Sequence, residues 1–295
     1  MLIEKIFNEN KKFIKKRREI LNYIALLKFI SMILIIRWHI YKWKHPIRID
    51  FGARMCEFLF VSSGFLIGYN YNEITMPATY HTSCKYTYKH LRSFYPLHIL
   101  NSLYEIYRNK RNLNLTYYEI LIFNFLLMKV WSSNIHYSLG FNGITWFISA
   151  LLFCYFLSPF LLGGNKNIKN SLLLFSFVAF IRVGIEELIK NGAKNFMGFN
   201  FHYNPIIRLM DFYLGMLMIP LFLKIKYFLD KIRDKLYLNY IFTSFQIIFP
   251  ITIYFIMLEF NNKLFRCYFV LIFCLCIFLI SFDYGYLSNI NTKKI

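Results

Sequence analysis

The sequence is poor in charged residues. They make up 17% of the 295 residues, against about a quarter in ordinary soluble domains. In their place, 57% of the residues are hydrophobic and 21% are aromatic. This composition excludes an ordinary soluble domain and predicts a membrane protein.

Dividing features are also missing: we see no linker of glycine, serine or proline, no internal repeat and no low-complexity segment. Several apolar runs reach or approach the ~20 residues that a helix needs to cross a bilayer. We therefore predict an all-α fold, a polytopic transmembrane helical bundle. Its parts are a basic cytoplasmic leader at 1–19, one membrane domain at 20–285 and a short cytoplasmic tail at 286–295.

Acidic residues are scarce, with 15 Asp and Glu against 35 Lys and Arg. The basic residues lie mostly between apolar runs and do not form one face or tail, so they favour loop positioning over nucleic-acid binding. The six cysteines include no CxxC pair and sit mostly in apolar runs. They indicate neither a disulfide framework nor a zinc site. No small-residue cleavage site follows the first apolar run, so the leader is predicted to be retained.

We predict eight spans, at roughly 20–40, 54–71, 93–107, 144–162, 171–189, 204–223, 237–258 and 265–283. A further apolar run at 117–131 is predicted to be a re-entrant or interfacial helix. Lys and Arg favour the cytoplasmic side of a membrane. The basic loop at 224–235 lies on that side only if the 117–131 run does not cross the membrane. Both chain ends are then cytoplasmic, at the cost of leaving the basic stretch 108–111 outside.

Lys28 and His39 are candidate functional residues of the first span. They are eleven residues apart, which returns to nearly the same helix face. A lysine inside a span is costly unless it faces a polar cavity or a partner, so the pair predicts one wall of a polar groove. The alternatives are a Lys28 that snorkels to the surface and a His39 that belongs to an interfacial belt with Trp38 and Trp43.

The second span contains the stretch EFLFVSSGFLIGYNY, with Glu57 at its start and Ser63 near its middle. Small residues here favour close helix packing and hydrogen bonds between helices. Glu57 and His39 both fall near the outer ends of their spans, so we expect the carboxylate to orient the imidazole. Glu57 is otherwise an exposed loop acid.

The stretch GARMCEFLFVSSGFLIGYNY resembles the second-span signature of the membrane acyltransferase-3 family, which O-acylates cell-surface polysaccharides and related glycans. Ser63 falls in its Ser-Gly-Phe motif, and Glu57 stands where the family has an acidic residue. His39 corresponds to the family's essential first-span histidine, and Lys28 stands in place of its arginine.

Three later segments extend the resemblance, in order, over roughly residues 20–285. YKHLRSFYPLHIL is similar to the basic cluster and Tyr-Pro of the third span. ITWFISALLFCYFLSP, with Trp146 and Tyr155, is similar to a Trp-led span. IIRLMDFYLGMLM resembles a later pattern through Arg208.

The resemblance implies an integral membrane O-acyltransferase that moves an acyl group, acetyl in the simplest case, from acyl-CoA to a hydroxyl of a cell-surface glycan or its lipid-linked precursor. No bound cofactor or metal is implied, and acyl-CoA is the co-substrate. The partners are the bilayer, acyl-CoA and the glycan or lipid-linked sugar, not nucleic acid, and the location is the inner or plasma membrane.

The resemblance also implies roles for individual residues. His39 acts as general base or as acyl carrier, and Glu57 orients it. Six further residues bind donor or substrate: Lys28, Ser63, Lys89, Arg92, Trp146 and Arg208.

Two other functions stay open. A transporter or flippase for a lipid-linked glycan also needs charged residues inside the membrane, although the repeats and broken spans typical of alternating access are not visible. The second open function is that of an inactive relic. It is suggested by the sequence stopping at YLSNINTKKI, where members of the family continue into at least one more span.

Overall fold

The computed structural model describes most of the predicted membrane domain. It covers residues 23–40, 51–71, 76–108, 115–140, 143–162, 167–193, 195–196, 199–231, 236–259, 268–282 and 284–289. The predicted leader at 1–19 and the end of the predicted tail lie outside the described residues.

Helices account for nearly all of the described chain, which confirms the predicted all-α class. The first six are α1 (Tyr23–Ile40), α2 (Phe51–Asn70), α3 (Tyr80–Arg108), α4 (Leu115–Phe125), α5 (Ile135–Leu139) and α6 (Thr145–Leu162). The next six are α7 (Ile168–Lys190), α8 (Pro205–Leu217), α9 (Ile219–Lys231), α10 (Leu236–Glu259), α11 (Phe269–Ile280) and α12 (Tyr286–Asn289). A 3₁₀ turn covers Lys129–Trp131, and β1 (Asn195–Phe196) pairs with β2 (Phe199–Asn200) in a minimal antiparallel ladder.

Four helical segments of the described chain are long and apolar enough to cross a membrane: Tyr23–Ile40, Thr145–Leu162, Pro205–Lys231 and Tyr237–Phe255. The third joins α8 and α9. A helix lies at each of the eight predicted spans, but α11 has only 12 residues, and α7 carries several charged residues. The described residues thus form a helical bundle with four candidate spans, which indicates a membrane protein, and the number eight stays a prediction.

The centre of the bundle is the contact between α2 and α8. A Cβ atom added to Gly64 would lie 1.8 Å from the carbonyl oxygen of Phe212, and one added to Gly215 would lie 2.0 Å from that of Val61. Only glycine allows two helix backbones to approach this closely. The Ser-Gly stretch of α2 therefore has the packing role that small residues predict.

Aromatic side chains fill the space between α2 and the helices that follow α8. Phe65 of α2 packs edge-on against Phe222 of α9 at 5.2 Å between ring centroids, and Phe58 packs against Phe273 of α11 at 5.6 Å. The predicted tail begins against the surface of this bundle, where the backbone N–H of Tyr286 donates to the Thr243 hydroxyl of α10 at 2.8 Å.

Residues 115–140 form a compact hairpin. At 1.5 Å per residue, the 11-residue α4 is only about 16 Å long, roughly half of a hydrocarbon core. The chain then reverses at Leu127, whose φ is 54°, and α5 returns along α4 with Tyr137 stacked edge-on against Phe123 at 5.5 Å. This shape suits the predicted re-entrant or interfacial segment, whose position in a membrane stays a prediction.

Candidate functional site

Lys28 and Ser63 meet between α1 and α2. The Lys28 ammonium group donates a hydrogen bond to the Ser63 hydroxyl at 2.9 Å. Tyr155 of α6 interacts with the same serine side chain. Gly64, the residue after Ser63, is the point of close contact between α2 and α8. The Ser63 hydroxyl therefore lies next to that contact along α2.

His90 of α3 completes this group. Its ring centroid lies 4.4 Å from that of Tyr155 and 4.6 Å from that of Tyr86. Its Nε2 atom is buried and has no hydrogen-bond partner among the described residues. Burial, followed by the charges of Lys89 and Lys28, lowers the pKa of His90, so the imidazole is neutral near pH 7 and Nε2 can accept a proton or a hydrogen bond.

A second polar centre lies between α2, α7 and α8, where six charged side chains are each more than nine-tenths buried. They are three arginines and three carboxylates: Arg54, Arg182, Arg208, Glu57, Glu186 and Asp211. We call them the ion cluster. Buried ions cost several kcal/mol each unless they are paired with good geometry. The ion cluster contains as many positive as negative groups, so every charge has an opposite charge available as a partner.

Glu57 is the acceptor at the α2 side of the ion cluster. Arg54 Nη1 donates to its two carboxylate oxygens at 2.8 and 2.7 Å. Arg182 Nη2 donates to Oε1 at 3.1 Å, and Arg208 Nη1 lies 3.7 Å from the same oxygen. The Glu57 carboxylate is thus held by three arginines from three helices.

Arg182 joins the remaining carboxylates to this group. Its Nε donates to Asp211 Oδ1 at 2.7 Å, and its Nη1 donates to Glu186 Oε1 at 2.9 Å. Arg208 Nη1 lies 2.7 Å from Asp211 Oδ2. One guanidinium therefore bridges α2, α7 and α8, which fixes the relative positions of these helices.

A polar cavity of about 330 Å³ adjoins the ion cluster. Its lining residues are Arg54, Glu57, Glu186, Ile189, Ala193, Asn200, Phe201, His202, Ile207 and Arg208. The Arg208 Nε–H has no hydrogen-bond partner among the described residues. The cavity thus offers hydrogen-bonding groups of both charges beside apolar walls.

The expected pair of His39 and Glu57 is not formed, and this prediction was wrong. His39 is exposed at the end of α1 and packs edge-on against Trp38 at 4.8 Å. Glu57 is 1% exposed, and its contacts are with arginines. A carboxylate beside three buried guanidinium groups is held there, so it does not reach the exposed imidazole.

The other predicted site residues divide between the two polar centres and the surface. Lys89 and Arg92 are exposed on α3, on either side of His90. Trp146 is buried beside the cavity, with its ring centroid 4.8 Å from that of His202. Arg208 belongs to the ion cluster, whereas Lys28 and Ser63 form the first polar centre.

Four members of the ion cluster were not selected from the sequence: Arg54, Arg182, Glu186 and Asp211. A signal was present, because Arg182 and Glu186 lie four residues apart inside the predicted span at 171–189, and such pairs share a helix face. Charged residues inside a span are costly and mark functional or paired positions.

A third buried polar group, centred on Lys129, was also missed. Lys129 is fully buried, and its ammonium donates to Thr145 Oγ1 at 3.0 Å and to the carbonyl oxygen of Gly140. Asn124 of the same hairpin donates to Ser102 of α3 at 2.7 Å. These bonds attach the 115–140 hairpin to α3 and α6.

No family model, curated protein or solved structure matches this chain. Fold and site together indicate a class. The described residues form a helical bundle with candidate membrane spans, two polar centres beside a tight α2–α8 contact and a third buried polar group at Lys129.

Proposed function

We propose that this chain is an integral membrane O-acyltransferase. It transfers an acyl group, acetyl in the simplest case, from acyl-CoA to a hydroxyl of a cell-surface glycan or its lipid-linked precursor. We further propose that it lies in the inner or plasma membrane as a multi-pass protein with a cytoplasmic N-terminus.

The observation that carries the proposal is the meeting of four segments that resemble acyltransferase motifs. Lys28 donates to Ser63 at 2.9 Å, Tyr155 interacts with Ser63, and His90 stacks on Tyr155 at 4.4 Å. These residues come from α1, α2, α3 and α6, and the segment that carries each of them resembles a motif of the same family.

The donor enters, in this proposal, at the basic part of α3. Lys89 and Arg92 are exposed and supply cations for the phosphate groups of CoA. Lys28, bonded to Ser63, supplies a half-buried positive charge that meets an anionic or polar group of the donor away from the acyl carbon.

The reaction consists of one bond exchange at the acyl carbon. The acceptor hydroxyl oxygen forms a bond to that carbon, the carbon–sulfur bond breaks, and the hydroxyl proton moves through His39 to the departing CoA sulfur. If His39 is instead the acyl carrier, its ring nitrogen takes the acyl group from sulfur and passes it to the hydroxyl. His39 lies about 16 Å from Lys28 along α1, so the donor must extend along this helix.

Labelled acyl-CoA tests the proposal. Membranes that contain the chain are expected to transfer label from acetyl-CoA to glycan, whereas His39→Ala membranes transfer none. His81→Ala, which changes an exposed histidine of α3, is the matched control and retains activity. Hydroxylamine-sensitive label on the protein identifies an acyl carrier, and its absence identifies a general base. No transfer by the wild-type chain rejects the proposal.

The second candidate is a transporter or flippase for a lipid-linked glycan. The charged cavity beside the ion cluster favours it, because a transport pathway also requires buried charged residues. Under this alternative, labelled acyl-CoA gives no acyl transfer, while the chain moves lipid-linked glycan across vesicle membranes.

A further inference from the structure

The cavity beside the ion cluster lies apart from the Lys28–Ser63 contact and has its own chemistry. Its volume of about 330 Å³ falls in the range of small-ligand sites, roughly 300–1,000 Å³. The lining combines carboxylates and guanidinium groups with Ile189, Ile207 and Phe201. A ligand that fits must therefore present hydrogen-bonding groups and apolar surface together.

The ion cluster restricts the charge of that ligand. Its three arginines already pair with three carboxylates at distances of 2.7 to 3.7 Å. An added anion leaves one buried negative charge unbalanced, and an added cation leaves one positive charge unbalanced. Either outcome disfavours binding, because a buried charge without a partner is destabilising. A neutral ligand avoids this cost.

The cavity lining supplies hydrogen-bonding groups of both kinds. The guanidinium groups of Arg54 and Arg208 and the carboxylates of Glu57 and Glu186 all line it. Guanidinium groups donate to ligand oxygens, and carboxylates accept hydrogen bonds from ligand hydroxyl groups.

We propose that this cavity binds a neutral polyhydroxylated ring, a sugar unit of the acceptor glycan. This inference rests on the proposed function for its biological meaning. The ring hydroxyls form hydrogen bonds with the guanidinium and carboxylate groups of the lining. The C–H face of the ring packs against Phe201, Ile189 and Ile207. Acceptor selection by the protein is therefore selection against charged sugars.

Ligand-observed NMR on the purified full chain in lipid nanodiscs tests the proposal. The probes are methyl glycosides of glucose, galactose and mannose, each compared with the methyl glycoside of the matching uronic acid. At least one neutral glycoside is expected to bind. Its uronic acid partner is expected to bind at least about ten-fold more weakly, because its carboxylate unbalances the buried charges.

Two tryptophan variants locate the binding. Ala193 is exposed and lines the cavity, so Ala193→Trp fills the mouth without disturbing the core and weakens neutral glycoside binding at least about ten-fold. Asn170→Trp, at an exposed position near the opposite end of α7, leaves binding unchanged. Absence of binding by all three neutral glycosides, equal or tighter uronide binding, or full binding by Ala193→Trp would each overturn the inference.

Acyl transfer is measured separately on the same preparations. Transfer without glycoside binding rejects the pocket and leaves the acyltransferase proposal standing. Glycoside binding without transfer keeps the pocket and rejects the acyltransferase.

Discussion

The Lys28 ammonium group donates to the Ser63 hydroxyl at 2.9 Å, linking the first two described helices at a polar point inside an apolar bundle. Replacing Lys28 by methionine keeps the length of the side chain and removes the cation. Acyl transfer is expected to fall at least about ten-fold, because hydrogen bonds from charged groups contribute about 1.5–3 kcal/mol. Transfer is measured with labelled acetyl-CoA at matched membrane levels.

Lys28→Arg is the control for this change. It keeps the positive charge and restores the residue type that the resembling family has at this position, so substantial activity is expected. Full activity of Lys28→Met would contradict a role for the cation in transfer.

The neighbouring serines Ser62 and Ser63 allow a matched comparison within α2. Ser63 accepts the Lys28 hydrogen bond, whereas the Ser62 hydroxyl donates to the Leu59 carbonyl oxygen of its own helix at 3.1 Å. Ser63→Ala is expected to lower acyl transfer several-fold, by about the loss of one charge-assisted bond. Ser62→Ala is expected to change it by less than about two-fold, because a bond within the helix contributes little. Equal effects of the two changes would exclude a specific role for Ser63.

The glycine contact predicts a large effect of a single methyl group. Gly64→Ala places a Cβ atom within 1.8 Å of the Phe212 carbonyl oxygen, so α2 and α8 must separate. The cost is expected to be at least about 1–3 kcal/mol, seen as a lower melting temperature in detergent and a lower membrane level.

Gly184→Ala is the control for Gly64→Ala. Apart from its chain neighbours and the backbone of its own helix, no atom lies within 4 Å of a Cβ at Gly184, so this change is expected to be neutral or slightly stabilising. A Gly64→Ala protein as stable as the wild type would mean that the close approach is not required.

The ion cluster predicts a strong contrast between buried and exposed arginines. Arg182→Met leaves buried carboxylates without their shared partner and is expected to cost about 3–5 kcal/mol. Arg108 is 61% exposed in its ion pair with Glu105 at 3.0 Å, so Arg108→Met should cost no more than about 1 kcal/mol. Thermal unfolding in detergent compares the two, and similar melting temperatures would contradict the role of the ion cluster in stability.

Apolar runs were sufficient to predict the positions of the helices. The break in the 117–131 run was anticipated only as a segment that does not cross, and its reversal at Leu127 depends on the packing of the returning α5. Sequence spacing does not specify such packing. The helix α3 begins earlier than the predicted span at 93–107, and α11 is shorter than the predicted span at 265–283. Helix ends depend on the residues that pack against them, which apolar runs do not specify.

The polar sites were predicted less completely, because contacts between distant segments depend on how helices rotate. Ser63 and Lys28 were both selected as candidates, and the structure brings them together. Glu57 was assigned to His39 by proximity of span ends. It is instead turned toward Arg182, more than a hundred residues away, a pairing for which the local sequence gives no signal.

The most direct test of the central claim is the content of O-acetyl esters in surface glycans. It is compared between cells that make the wild-type chain, the His39→Ala chain or neither, with membrane levels checked by immunoblot. The acyltransferase account predicts added ester only in cells with the wild-type chain. Equal ester content in wild-type and His39→Ala cells, or no ester above background in either, would contradict it.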